Sequence, residues 1–209
     1  MTTYETPGPI SVTLEIGIGR VRVIAADRED TVVEISPSNP ARRSDVAAAE
    51  LAQVEYSAGR LSVRAAKGWR QYRLWRGRES IEVRVDLPAG SNLAGEAGVA
   101  SLAVSGRIGE VDFRTGMGDV HLDETGPLRL RSGMGAITVG RVAGPADIKT
   151  GSGHVDVGSV DGTAVIKNSN GDTRIGEADG DLRVQSANGR IAVDLTRSTV
   201  VAKTANGDI

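Results

Sequence analysis

Two sets of residues in this chain have the types and spacing to do chemistry. The first is the run Lys67-Gly68-Trp69-Arg70-Gln71-Tyr72-Arg73-Leu74-Trp75-Arg76-Gly77-Arg78, which holds both tryptophans of the protein among four arginines and a lysine. From Arg60 to Arg84 there are eight basic and two acidic residues. Trp, Tyr and Arg dominate binding hot spots, so Trp69, Arg70, Tyr72, Arg73, Trp75 and Arg76 form a candidate patch for a protein partner. The same residue types could stack on nucleobases or lie at lipid headgroups, or simply pack their rings on the protein while the arginines reach water. The second set is spread out. Arg114, Arg131, Lys149, Lys167, Gln185 and Lys203 recur at near-constant spacing, each followed by Thr115, Ser132, Thr150, Asn168, Ser186 or Thr204.

Those positions belong to an internal repeat. Arg-Thr-Gly-Met-Gly-Asp-Val-His-Leu (114–122) returns as Arg-Ser-Gly-Met-Gly-Ala-Ile-Thr-Val (131–139) and Lys-Thr-Gly-Ser-Gly-His-Val-Asp-Val (149–157). Gly118, Gly135, Gly153, Gly171, Gly189 and Gly207 stand 17, 18, 18, 18 and 18 residues apart, with Ala100 in the same place one repeat earlier. Each repeat holds two alternating apolar pairs, and from Leu128 through Val200 their first members advance by nine residues every time. Period-2 alternation over such short runs excludes amphipathic helices and specifies strands with Gly-rich corners. One strand pair cannot bury its apolar side alone, so successive repeats must stack on a shared interior. The expected fold is all-β: a flattened parallel β-solenoid of two facing sheets, about 18 residues per coil. The second-corner glycines Gly109, Gly126, Gly144, Gly162 and Gly180 are expected to supply positive φ.

The N-terminal half is less regular. Val12 to Val23 fits the coil template with Gly19 in the corner-glycine place. Pro37 and Pro40 break the chain before Ser44, which could cap a short helix over 45–52. A hairpin is expected for Val54–Ser57 and Leu61–Ala65, and Ile81–Leu87 alternates as a strand. Residues 1–92 therefore read as the first coil and a cap with inserted excursions, and 93–209 as regular coils of the same continuous domain.

An early Gly-x-Gly coil, an irregular middle, the exit Leu87-Pro88-Ala89-Gly90-Ser91 and coils of the Thr150-Gly151-Ser152-Gly153-His154-Val155 type resemble one bacterial family. It is known as putative adhesin or toast-rack, a domain of unknown function. The resemblance implies a β-solenoid and, in many members, an envelope or stress-response setting. It implies no catalytic residues.

Composition narrows the chemistry. The chain of 209 residues has no cysteine, which excludes disulfides, thiolate zinc and cysteine nucleophiles. Its 25 basic and 27 acidic residues exclude a chain built throughout for a polyanion, so nucleic acid is not the expected partner. No run approaches the roughly 18 apolar residues of a membrane span. Met1-Thr2-Thr3-Tyr4-Glu5 shows neither the basic nor the apolar part of a secretory signal, and the expected location is cytoplasmic. The two histidines, His121 and His154, fall on outward positions two coils apart, so no metal site is expected. The column Asp119, Ala136, His154, Asp172, Arg190, Asp208 lacks the successive carboxylates a calcium ladder needs. Asp156 and Asp172, with Arg174 and Arg190 nearby, read as an ion-pair lattice in preference to catalytic acids. No catalytic residue and no cofactor are therefore assigned, and the chain is not expected to be an enzyme.

Stacking would bring Arg114, Arg131, Lys149, Lys167 and Lys203 into a column with a rung about every 4.8 Å. That column could hold an anionic polymer, or a row of phosphates or carboxylates. Turn chemistry alone also accounts for the hydroxyls beside it, with Asp112 and Asp147 partly neutralising the cations. Three functional classes follow: a non-enzymatic interaction scaffold, a self-assembling structural protein, and a carbohydrate-binding or adhesin-like protein. Because the sequence ends one strand into a further repeat, self-association through an open coil at Ala202–Ile209 is also expected.

Overall fold

The computed structural model describes residues 1–65 and 79–209, and strands make up most of them. The chain enters through β1 (Thr2–Glu5) and the long β2 (Ser11–Ala26), whose residues Val12, Leu14, Ile16, Val21 and Val23 all point inward. An excursion follows: β3 (Asp30–Pro37), α1 (Arg43–Glu50), β4 (Gln53–Ser57), β5 (Arg60–Ala65) and β6 (Ile81–Pro88). The chain then returns as β7 (Asn92–Ile108), parallel to β2, with Val12 opposite Leu93 and Val23 opposite Val104.

Two-strand coils stack beyond β7. They are β8 (Val111–Met117) with β9 (Val120–Thr125), β10 (Leu128–Met134) with β11 (Ile137–Val142), and β12 (Ala146–Ser152) with β13 (Val155–Val160). Next come β14 (Ala164–Asn170) with β15 (Thr173–Ala178), β16 (Leu182–Asn188) with β17 (Ile191–Thr196), and β18 (Val200–Asn206). β8, β10, β12, β14, β16 and β18 pair in parallel as one sheet, while β9, β11, β13, β15 and β17 pair as the other. The expected parallel solenoid of two facing sheets is the fold that forms. Its core is the seam between the sheets, where Leu130, Ile148, Ile166 and Val184 stack in register and are fully buried. Each such side chain contributes about 1.5–3 kcal/mol by leaving water. The apolar pairs point inward as far as Ile191, after which Val193 and Ala202 are half-buried and Val200 is exposed.

The excursion ends the stack on the β2 side. β5 and β6 pair in parallel with the two halves of β2. β4 then runs antiparallel to β5, β3 antiparallel to β6, and β1 antiparallel to β3. The outermost strands, β1 and β4, have four and five residues, short enough to offer little edge to another chain. The predicted hairpin forms as β4–β5.

Two local expectations need correction. The helix starts two residues earlier than Ser44 would dictate: Arg42 is its N-cap without a side-chain bond, and the Ser44 hydroxyl donates to Asp45 Oδ1. Asp45 is buried and also accepts from the Ser80 backbone N–H, so its anchoring sets where the helix begins. The second-corner glycines do not adopt positive φ. They are glycines because the coils nearly touch there: a Cβ on Gly162 would stand 2.7 Å from the Gly144 carbonyl carbon, and one on Gly180 2.6 Å from that of Gly162. Positive φ belongs to the first corner, as at Gly153 with φ +139°.

Candidate functional site

The first sheet alternates inward and outward residues, so Leu130, Ser132, Ile148, Thr150, Ile166 and Asn168 face the seam while Arg131, Lys149 and Lys167 face solvent. Parallel in-register pairing turns these outward residues into a column: Arg114 opposite Arg131, Arg131 opposite Lys149, Lys149 opposite Lys167, Gln185 opposite Lys203. Adjacent rungs are one strand spacing apart, about 4.8 Å. Lys149 is tied to Asp147, with Nζ 3.0 Å from Oδ2. Among the described residues, Arg114, Arg131, Lys167 and Lys203 have no carboxylate within salt-bridge distance. The neighbouring outward cation Arg129 is held by Asp112 at 3.2 Å. The acids expected to neutralise the column therefore engage two cations and leave the others free.

The hydroxyl and amide column beside the cations turns inward, buried at Thr115, Ser132, Thr150 and Asn168 and half-buried at Ser186 and Thr204. Thr115 Oγ1 donates to the Ala100 and Met117 carbonyls, each at 3.3 Å, and Asn168 Nδ2 donates to the carbonyls of Gly153 and Gly171. Ser186 and Thr204 also bond corner carbonyls. Turn chemistry thus accounts for four of the six. Ser132 Oγ, Thr150 Oγ1 and Asn168 Oδ1 have no partner. Three successive coils carry an orphaned buried polar atom, a costly feature at about 1–3 kcal/mol each if unmet.

On the outward face of the same strands lies a shallow trough of about 510 Å³ bounded by Arg131, Lys149, Lys167 and Gln185. Gly151, Ser169 and Ala187 line it too, small residues that let a ligand approach the backbone closely. The trough crosses four successive coils and so runs along the solenoid axis, about 14 Å from first rung to last. Sequence reasoning found the cations and the hydroxyls but missed this floor. Its signal was available as the column Gly116, Gly133, Gly151, Ser169, Ala187, Ala205 that follows the hydroxyl column.

At the first corner of the same sheet, a further exposed column changes character along the axis. Val99, Met117 and Met134 are exposed apolar side chains. Past them, Asn206 Nδ2 donates to Asn188 Oδ1 and Asn188 Nδ2 to Asn170 Oδ1, a stacked amide ladder. Leu195, Val200, Val201 and Ile209 are exposed at and beyond β17. The patch of Trp69, Arg70, Tyr72, Arg73, Trp75 and Arg76 lies outside the described residues.

Several outward carboxylates of the other corners and sheet have structural partners. Asp119 Oδ1 accepts the Ala136 N–H and Asp172 Oδ1 the Arg190 N–H, each from the following coil. Arg174 pairs with Asp194 at 2.8 Å, which raises the guanidinium pKa, with Asp156 adding a weaker attraction. His121 Nε2 lies 3.1 Å from Asp123 Oδ1. Among the described residues no three His, Cys, Asp or Glu side chains converge as a metal site would require. No helix there is long and apolar enough to cross a membrane.

Solved structures share this architecture. A putative adhesin from Bacteroides fragilis superposes with a TM-score of 0.53 at 12% identity, over 100% of this chain and 95% of the other. A putative lipid binding protein from Parabacteroides distasonis gives 0.52 at 10% identity, again over 100% and 95%. At these identities the likeness is one of fold. No curated protein matches the chain. The sequence model described as Toastrack DUF4097 matches residues 11–209, the span from the first residue of β2 to Ile209, and by that match the chain belongs to the Toastrack DUF4097 family.

Proposed function

We propose that this protein is a non-enzymatic interaction scaffold whose first-sheet face holds an anionic ligand in the trough beside Arg131, Lys149 and Lys167. One observation carries the reading: Arg131 and Lys167, which have no carboxylate within salt-bridge distance among the described residues, flank Lys149 along a single trough on the outward face. Outward cations without carboxylates of their own suit anionic groups, which take charge-assisted bonds from them. The outward acids support a binding role over a catalytic one, since Asp119, Asp172 and Asp194 are engaged by backbone N–H groups or arginine. The fold relative called a putative adhesin is in keeping with this.

Retention of the full chain on a sulfated-polymer column, read as the salt needed for elution, tests the reading. The double substitution R131Q/K167Q should elute at clearly lower salt, whereas R129Q/R141Q, which removes two cations already paired with Asp112 and Asp161, should shift elution far less. Equal shifts for the two would refer binding to overall charge and refute the trough.

A second reading rests on Val99, Met117 and Met134, which expose an apolar strip next to Arg114 and Arg131 on adjacent coils. That pairing of apolar and basic columns suits an anionic amphiphile, and one fold relative is called a putative lipid binding protein. Co-sedimentation with anionic vesicles that is lost in M117S/M134S would favour it over the trough.

A further inference from the structure

We infer that the anionic partner of the first-sheet face is a second copy of this chain, seated through the outward face of its second sheet. The inference rests on the anionic-ligand reading above and adds to it the identity of the partner. It starts from a division of charge between the two sheets of the coils. Strands β8, β10, β12, β14, β16 and β18 carry seven lysines and arginines against two aspartates. Strands β9, β11, β13, β15 and β17 carry five aspartates and glutamates against two arginines. None of these charged residues is buried, so all stand on the outward faces. Because the sheets face each other across the seam, the basic and acidic faces look in opposite directions.

Pairing within the chain does not cancel the division. On the second sheet Arg174 is held by Asp194 and Arg141 by the corner residue Asp161, each at 2.8 Å, which leaves Glu124, Asp156 and Glu177 without a cation within salt-bridge distance among the described residues. Arg131 and Lys167 are their counterparts on the first sheet. The two faces also match in period and relief. Both are built from the same coils, so cations on one and acids on the other recur on the same strand spacing, about 4.8 Å, and contacts along the axis stay in step. On the second sheet Gly140, Gly158 and Gly176 stack directly: a Cβ on Gly158 would stand 2.3 Å from the Gly140 oxygen, and one on Gly176 2.3 Å from the Gly158 oxygen. They leave a groove of bare backbone between the column holding Asp156 and the column holding Glu177. The long side chains of Arg131 and Lys167 can enter that groove, with an acid on either wall.

Size and symmetry set what such a contact does. The second sheet spans four strand spacings by about six residues, so a contact covers on the order of 400 Å² of flat area per copy, below the roughly 800 Å² of a stable pair. Association of two copies is therefore weak, and it is sensitive to salt because its charges are exposed. A formal net charge of −2 leaves little overall repulsion to oppose it. Each copy can use both of its faces at once, so the contact is heterologous and extends into an open row of coil stacks without closing into a dimer.

Sedimentation velocity of the full chain over a concentration series tests this. The weight-average sedimentation coefficient should rise with concentration at low salt and stay level at about 0.5 M salt, where exposed ion pairs are screened. R131Q/K167Q and D156N/E177Q each remove two ion pairs and should each weaken association roughly tenfold, about threefold per exposed pair. The first variant keeps the acidic face and the second the basic one. Their equimolar mixture should therefore form a one-to-one complex with about the parent's affinity and grow no further. Circular dichroism checks that these exposed substitutions leave the coils folded. D156N/E177Q leaves the trough intact and should elute from the sulfated-polymer column no earlier than the parent, so the two readings separate. If the parent stays monomeric at every concentration, or its association persists at high salt, the second copy is wrong. The same follows if R131Q/K167Q associates as the parent does, or if the mixture gains nothing over either variant alone. In each of those cases an anion-binding face stands as long as R131Q/K167Q still elutes earlier than R129Q/R141Q, and falls with the second copy if it does not.

Discussion

Replacing Gly153 with Ala tests whether the first corner truly demands glycine. Gly153 has φ +139°, and a Cβ there would lie 2.1 Å from the Gly135 carbonyl oxygen and 2.7 Å from its carbon, one coil below. Two costs add. An L-residue in that region of backbone space is strained by about 1–3 kcal/mol. Relieving the overlap moves backbone, not a flexible side chain, and overpacking of this kind costs about 1–3 kcal/mol more. The expected loss is thus at least about 3 kcal/mol, a large fraction of the 5–15 kcal/mol typical of a domain. Equilibrium urea unfolding, followed by circular dichroism and compared at equal m, measures it. The control is Gly151→Ala, two residues away. A Cβ there would stand 2.6 Å from the Gly133 oxygen, but φ is not positive, and Ser169 and Ala187 already carry a Cβ in that column. It should cost less than about 1 kcal/mol, because the coils have shown they can shift to accept one. A Gly153→Ala loss no greater than the Gly151→Ala loss would refute the argument that φ and carbonyl contact together hold this corner.

Other outcomes follow from the hairpin and from the acids. Ala58 is the sole described non-glycine at positive φ, +48°, in the two-residue β4–β5 turn where Gly59 has φ +73°. Asn tolerates that conformation far better than Ala, so Ala58→Asn should stabilise by about 0.5–1 kcal/mol and raise Tm by about 1–4 °C in a thermal scan. Asp30 is held below the ordinary aspartate pKa by its bond from Arg28, and Asp181 by the Ser198 hydroxyl and then the Thr199 N–H. Groups lowered on folding stabilise above the unfolded pKa and lose that contribution as pH falls through the folded one. Stability from these two should therefore be level from neutral pH to about 5 and decline below about 4, with Asp181→Asn flattening the acid limb of a urea-midpoint titration.

Legibility in the sequence followed how directly a residue reports its constraint. Leu130, Ile148, Ile166 and Val184 report theirs without ambiguity, since one apolar period of nine residues has one packing solution, and the two-sheet coil follows from it. Glycine reports less. Gly153 and Gly162 look alike as letters, yet one supplies positive φ and the other only the absence of a Cβ beside the next coil, so the expectation for the second corner assigned the wrong reason to the right residue. Ser44 misled because a buried acid, Asp45, outweighs an exposed cap, and burial is a tertiary fact. The cationic column was readable from spacing. The trough was not, because it depends on which cations find a carboxylate: Lys149 does in Asp147, while Arg131 and Lys167 do not among the described residues. The Trp69–Arg76 patch falls outside the residues described.

The nine-residue advance of strand starts from Leu128 to Val200 sets the units in which such a protein can change length. Losing nine residues would send every later strand to the opposite sheet, so that cations such as Lys167 would change sides and the axial row would be cut. Losing or gaining eighteen would leave each strand in its own sheet and move the far end by one strand spacing, about 4.8 Å. Changes of any other size must be absorbed as loops at the corners. The length of the cation row is thereby counted in whole rungs, and duplication of a single coil would extend it by one rung without altering the register of the others.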